Sequence, residues 1–270
     1  MIVREPEFFE PVKNPIIRMG RSLMQFCREM GRAFIVTLAA FGHFPHALSR
    51  RNRSEVAYQM FFTGIRSLGV ITVVALFTGM IFALQTGIEL RRYGQEEYVG
   101  GGVTVTMLRE MGPFMTAMII AASVGSSIAA QLGTMTVSEE VAALEIMSIS
   151  PARYLVMPRL LALCVMMPLL TFYTNIVAIL GGAIVAQTQL GVSRTSYFFN
   201  VVDYAEVKDL YVGLLKAFIF GVVICTIACH QGFSTKEGAV GVGKATRQTV
   251  VSSFLLMLML GYMVTKLFYT

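Results

Sequence analysis

Residues 67–88 read SLGVITVVALFTGMIFALQTGI. The run carries no charged side chain, and it is long enough to cross a hydrocarbon core, which takes about 20 apolar residues as a helix. Four more charge-free runs follow, at 111–138, 160–193, 217–235 and 248–265. Inside lipid every backbone N–H and C=O must be paired within its own segment, so isolated runs of this length form helices. The sequence therefore predicts an all-α integral membrane protein with five transmembrane helices.

Composition points the same way. Of 270 residues, 55% are hydrophobic and 14% are charged, against about 25% charged in an ordinary soluble domain. Two regions are expected: an N-terminal cytoplasmic and interfacial segment over 1–54, and a membrane domain over 55–270. The net charge of +6 does not point to nucleic acid. Ten of the basic residues precede the first run, among them Arg18, Arg21, Arg28, Arg32, Arg50, Arg51, Arg53 and Arg66. Positive charge before the first span places the N-terminus in the cytoplasm, and five spans then put the C-terminus outside. The opening residues, with Arg4, Glu5, Glu7 and Glu10, do not read as a cleavable signal peptide, and none is expected.

Along the chain, Ile16, Met19, Leu23, Cys27, Met30, Phe34, Leu38 and Phe41 recur at three- and four-residue steps, opposite Arg18, Arg21, Gln25, Arg28 and Arg32. That pattern predicts an amphipathic helix over 15–42 lying in the headgroup plane. In the second run Ala117, Ala121, Gly125, Ala129 and Gly133 repeat every four residues, with Ala122, Ser126 and Ala130 beside them. Such a small-residue face lets helix backbones approach closely. Packing within the chain and a seam between two copies both stay open. Next, Thr136-Val137-Ser138-Glu139 has the form of a capping box, and predicts a short cytoplasmic helix from Val137 to about Ser148, before Pro151. Its acids Glu139, Glu140 and Glu145 alternate with Val141, Leu144, Ile146 and Met147. Spacing alone leaves it a solvated connector or a docking surface. Residues 91–102 and 194–216 read as outward loops, and 231–244 as a glycine-rich cytoplasmic loop.

Several kinds of chemistry are excluded. Residues 238–244, GAVGVGK, nearly match a phosphate-binding loop, but Ala245 stands where a Ser or Thr should hold magnesium, and no strand precedes them. They read as a tight turn between spans, where glycine supplies unusual backbone angles. Cys225, Cys229 and His230 lack a fourth ligand, so no metal is expected. The charge-free runs hold no ionisable group of the kind that proton-coupled carriers place in a cavity. The energy for any uphill movement is thus expected from another subunit. Phe77, Met80, Ile81 and Leu84 offer an apolar lining suited to lipid.

The chain resembles the MlaE/YrbE permeases, membrane subunits of ABC lipid transporters that work with MCE proteins. The shared motifs are Gly79-Met80 with Ala83-Leu84-Gln85; Arg109-Glu110 with Pro113; Ala130 with Leu132-Gly133-Thr134-Met135; and Glu139-Glu140 with Ala143-Leu144-Glu145 and Met147. They continue as Pro151, Tyr154-Leu155-Val156 and Pro158-Arg159, then Gly232, Gly238-Ala239, Gly241-Val242-Gly243 and Ala245-Thr246. The resemblance implies that the helix after the second span couples to an ATPase subunit through Glu139, Glu140, Ala143, Leu144, Glu145 and Met147. It also implies a second permease copy, identical or paralogous, with a phospholipid cavity between the two copies. An MCE ring would stand outside, ATP would be bound by the partner rather than by this chain, and a small cytoplasmic auxiliary subunit is allowed for. The implied location is a bacterial inner membrane, and the chain itself is expected to be a transporter subunit rather than an enzyme. The sequence departs from the family at Ser123, Gln131 and Ala142, where arginine, glutamate and aspartate are common. Loss of the first two together is compatible with loss of a compensating pair. It leaves open a different substrate or a non-identical permease partner.

Overall fold

The structure, a computed structural model, describes Gly31 and residues 53–270. The interfacial helix expected over 15–42 lies outside the described residues. Those residues contain no strand. Five helices are long and apolar enough to cross a membrane: Arg53–Arg91, Glu96–Val137, Ala152–Thr188, Val207–Phe233 and Gly238–Tyr269. They are taken here as the first to fifth spans. They alternate in direction, so the second-to-third and fourth-to-fifth connections share one end, called the connector end. The other connections lie at the opposite end.

Several buried hydroxyls are paired within their own helix, while Thr171 Oγ1 and Ser253 Oγ have no hydrogen-bond partner among the described residues. Thr104, Thr116, Thr174 and Thr249 each donate to the carbonyl four residues back at 2.8 Å, which removes the cost of an unpaired polar group in an apolar interior. The first and third spans cross where neither has a side chain. A Cβ on Gly79 would lie 1.9 Å from the Ala178 carbonyl oxygen, and one on Gly181 would lie 2.4 Å from that of Leu76. Only hydrogen fits there. The core has two tiers. Ile71, Ile120, Leu132, Leu163, Phe220 and Ile224 belong to the connector-side tier; Ala83, Val103, Met107, Ala178, Val185 and Tyr197 form the other. Between them a Thr116–Thr174 hydroxyl pair at 2.8 Å joins the second span to the third.

Three loops expected from glycine and charge are mostly helix. Gly100, Gly101 and Gly102 sit inside the helix Val99–Thr106, which leaves only 92–95 as connection. The reason is tertiary: the helix Arg194–Tyr204, capped by Ser193, which accepts from the Ser196 amide at 3.1 Å, lies across these glycines. A Cβ on Gly100 would be 2.5 Å from the Tyr197 carbonyl oxygen. Tyr197 donates its hydroxyl to Ile179 at 3.0 Å, and burial pushes its phenol pKa up. The 194–216 region is therefore this cap helix followed by the start of the fourth span at Val207. The GAVGVGK stretch opens the fifth-span helix instead of forming the turn. The turn is 234–237, with Glu237 at φ 70 and Gly238 at φ 63. Gly241 lies where a Cβ would be 1.5 Å from the Lys236 carbonyl oxygen.

Candidate functional site

At the connector end, the second span ends at Val137 and a separate helix runs Glu140–Ile146. The capping box does not form. Thr136 is still inside the span, and its hydroxyl donates to Leu132 at 2.8 Å; Glu139 takes a left-handed backbone, φ 61, as the residue before the new helix. The far end closes with a second left-handed residue, Ser148 at φ 59. Ser148 N–H bonds Glu145 O at 2.9 Å and Ile149 N–H bonds Leu144 O at 2.9 Å, the paired closure of a Schellman motif. Two non-glycine residues in this conformation mark stored strain, which tends to gather at functional segments. Val141 and Leu144 turn inward onto the connector-side core. Glu139, Glu140, Ala143, Glu145 and Met147 are exposed, and so is Ile146, at 85%. Leu144 thus anchors the helix, and the outward apolar side chains are Ile146 and Met147.

Beside the same half of the molecule, a cavity of about 600 Å³ opens between the first and second spans. Its walls include Phe62, Arg66, Val70, Ser123, Ser127 and Gln131. Ser123 sits in a wide turn, Ala121–Gly125, and returns its hydroxyl to Ile119 O at 2.7 Å. Gln131 lines the same cavity as Ser123, but its side-chain oxygen bonds elsewhere. Its Oε1 accepts from Arg159 Nη2 at 3.2 Å, while Arg159 Nη1 donates to Leu155 O at 2.7 Å. Arg159 is 8% exposed, and its Nε has no hydrogen-bond partner among the described residues. The partner of position 131 in this structure is therefore Arg159.

The absence of ionisable groups from the spans holds for the charge-free runs but not for the helices themselves. The second span begins early enough to include Arg109 and Glu110, and the fourth includes Asp209 and Lys216. Lys216, 1% exposed, donates to Arg109 O at 2.8 Å, Glu110 Oε1 at 2.7 Å and Thr265 Oγ1 at 2.7 Å. The backbone explains the first contact. Pro113 has no N–H to offer the Arg109 carbonyl, the helix widens over Met107–Met111, and the lysine takes the freed oxygen. Arg109 Nε lies 2.7 Å from Asp209 Oδ1, which also accepts from Tyr269 OH at 2.6 Å. The Tyr269 ring stacks under the Arg109 guanidinium at 4.7 Å. This cluster ties the second, fourth and fifth spans together at the opposite end.

The other singled-out residues fall as follows. Ala117, Ala121, Gly125, Ala129 and Gly133 are all buried within the chain; a Cβ on Gly125 would lie 3.0 Å from Ile224 and one on Gly133 2.8 Å from Thr235 Oγ1. The parallel row is more open, with Ala122 exposed and Ser126 and Ala130 half-buried. Met80 and Leu84 pack on the opposite-side core. Phe77 and Ile81 are exposed, so the four do not converge on one cavity within this chain. Cys225 and Cys229 lie 3.9 Å apart, buried as helix neighbours.

Residues 56–267 match the family model described as permease MlaE. A probable ABC transporter permease of Rickettsia felis is 34% identical over 254 residues, 93% of this chain and 96% of the relative. The intermembrane phospholipid transport system permease of Haemophilus influenzae is 31% identical over 261 residues, 96% of this chain and 98% of the relative. The chloroplast protein trigalactosyldiacylglycerol 1 of Arabidopsis thaliana is 32% identical over 207 residues, 77% of this chain and 59% of the relative. The helical bundle, the five spans and these matches agree: the chain belongs to the MlaE permease family.

Proposed function

We propose that this chain is the permease subunit of an ABC transporter that moves phospholipid or a related lipid, driven by ATP bound to a separate subunit. The observation that carries the coupling is the Glu140–Ile146 helix, clamped by two left-handed residues and presenting acids with Ile146 and Met147 outward. A displacement of this helix passes through Val141 and Leu144 into the connector-side core. That core joins residues of the second, third and fourth spans, so a push at the surface becomes a shift of packed helices. No bond in the lipid breaks.

The further parts of the reading rest on the family. The connector end faces the cytoplasm of a bacterial inner membrane, where the ATPase docks on Glu139, Glu140, Ala143, Glu145, Ile146 and Met147. A second permease copy pairs with this one, supported by the open Ala122–Ser126–Ala130 row, whose small side chains allow close approach. Lipid is exchanged with an MCE ring at the opposite end. Native mass spectrometry of the complex drawn from its own membranes by a tag on this chain tests the assembly. Two permeases, an ATPase, an MCE protein and retained phospholipid are expected. A lone permease, in detergent that spares a control complex, would return the chain to a stand-alone carrier.

A further inference from the structure

The cavity between the first and second spans has a chemistry unlike the rest of the lipid-facing surface. The lining is apolar at Phe62, Val70 and Ile119 and polar at Ser67, Ser123, Ser127 and Gln131, the last three in a row on the second span. Arg66 lines it too, at the boundary where the first charge-free run begins. Among the described residues no carboxylate lines the cavity. Behind Gln131 stands Arg159, more than nine-tenths buried, held by one backbone carbonyl and one amide oxygen. It forms no ion pair among the described residues, and its Nε is unpartnered. Gln131 Nε2 in turn lies 3.4 Å from Ser127 Oγ on the cavity wall. Among the described residues the site therefore holds one cation at its rim and a second behind its polar side, with no fixed negative charge to offset them.

Resting on the lipid-transport reading above, we propose that this cavity is a lateral portal that holds one anionic phospholipid of the connector-side leaflet, its phosphate at Arg66 and its first acyl carbons along Val70 and Ile119. The volume of about 600 Å³ fits a headgroup and the upper part of a chain. Arginine pairs with phosphate through charge-assisted hydrogen bonds. The lipid keeps the orientation it has in its own leaflet, so it reaches the portal without turning over. Position 131 sets the charge preference: the amide leaves Arg159 uncompensated, which favours an anion, whereas a carboxylate would neutralise it.

The test uses the purified complex in nanodiscs of equal phosphatidylglycerol and phosphatidylcholine, with lipids retained per chain counted by native mass spectrometry. The wild-type complex is expected to prefer the anionic lipid by about tenfold, or about 1.4 kcal/mol. Arg66→Gln and Gln131→Glu should each bring that ratio close to one, and Val70→Trp should lower the retained count by filling the cavity. An unchanged ratio in both charge variants overturns the proposal. So does a benzophenone placed at Val70 that captures only protein, whether a second copy or residues 1–52. The two readings fail separately. Selectivity without a co-purifying ATPase keeps the portal and removes the driven transporter; an ATPase without selectivity does the reverse.

Discussion

Lys216 and Arg159 are both cations inside an apolar bundle, 1% and 8% exposed, and their surroundings differ in kind. Each of the three protons on Lys216 Nζ has an oxygen: a backbone carbonyl freed by Pro113, a carboxylate of Glu110 and the hydroxyl of Thr265. Arg159 has the Leu155 carbonyl and the Gln131 amide, and a guanidinium nitrogen left over. Taking a charge out of water costs several kcal/mol unless partners replace the water. The first site has them all and joins three spans as a fixed strut. The second lacks a counter-charge and stands behind the polar side of the cavity between the first and second spans. Full pairing at Lys216 goes with a structural role, whereas at Arg159 the missing counter-charge leaves a net positive charge beside the cavity.

Among the largest expected effects is breaking the strut. Lys216→Met leaves the part-exposed Glu110 and the Arg109 carbonyl without their partner, and should cost about 1–3 kcal/mol, read as a lower unfolding midpoint in detergent. Adding Glu110→Gln should recover part of the loss; a single variant as stable as wild type would remove the strut from the account. Next comes tightness of another origin, the glycine crossing. Gly79→Leu pushes a side chain into the Ala178 backbone and should cost about 1–3 kcal/mol or more. Gly69→Leu, with nothing within 4 Å of the added Cβ, should change stability by less than about 0.5 kcal/mol. Equal effects at the two glycines would contradict the close approach.

Gln131→Glu sharpens the comparison by giving Arg159 the carboxylate that Lys216 already has. A charge-assisted bond in place of a neutral one should raise stability by about 1 kcal/mol, and a drop in midpoint would mean that the pocket excludes the second charge. The smallest effect is at the connector. Ser148→Gly relieves a left-handed backbone at φ 59 and should gain up to about 1 kcal/mol, seen as slower amide exchange over 140–146. Faster exchange would show that the serine side chain, and not its backbone, holds the turn.

The five spans were legible because the absence of charge over 67–88 and the four later runs is a local property, and lipid imposes helix on such runs. The connector was legible as an acidic and apolar segment, but its start was not. Thr136 and Glu139 have capping-box identities, yet the span runs on past Thr136 because the fourth span offers the Gly232 carbonyl at 3.3 Å to its hydroxyl. The glycines at 100–102 and 238–243 misled in the same way. They read as turns, but Gly100 and Gly101 take the Tyr197 backbone and the Tyr204 ring against a helix, Gly241 sits against the Lys236 carbonyl, and only Gly238, at φ 63, serves a turn. The strut was invisible because Glu110 and Lys216 are 106 positions apart; counting charge-free runs stopped short of both. The Pro113 beside Arg109-Glu110 was the available signal, since a proline in a helix frees a carbonyl that some donor must reach. Arg159 was quoted as part of a motif, and its importance depends on Gln131, 28 positions away.

The central claim, that ATP hydrolysis elsewhere drives lipid movement through this chain by way of the Glu140–Ile146 helix, is tested most directly in proteoliposomes. The complex with wild-type permease is compared with one carrying Glu140→Lys and Met147→Asp, both exposed positions, scoring ATP-dependent transfer of fluorescent phospholipid. The account predicts transfer with wild type and its loss with the double variant, with the variant still inserted and folded but its ATPase released. Transfer that is independent of ATP, or undiminished in the variant, would contradict it.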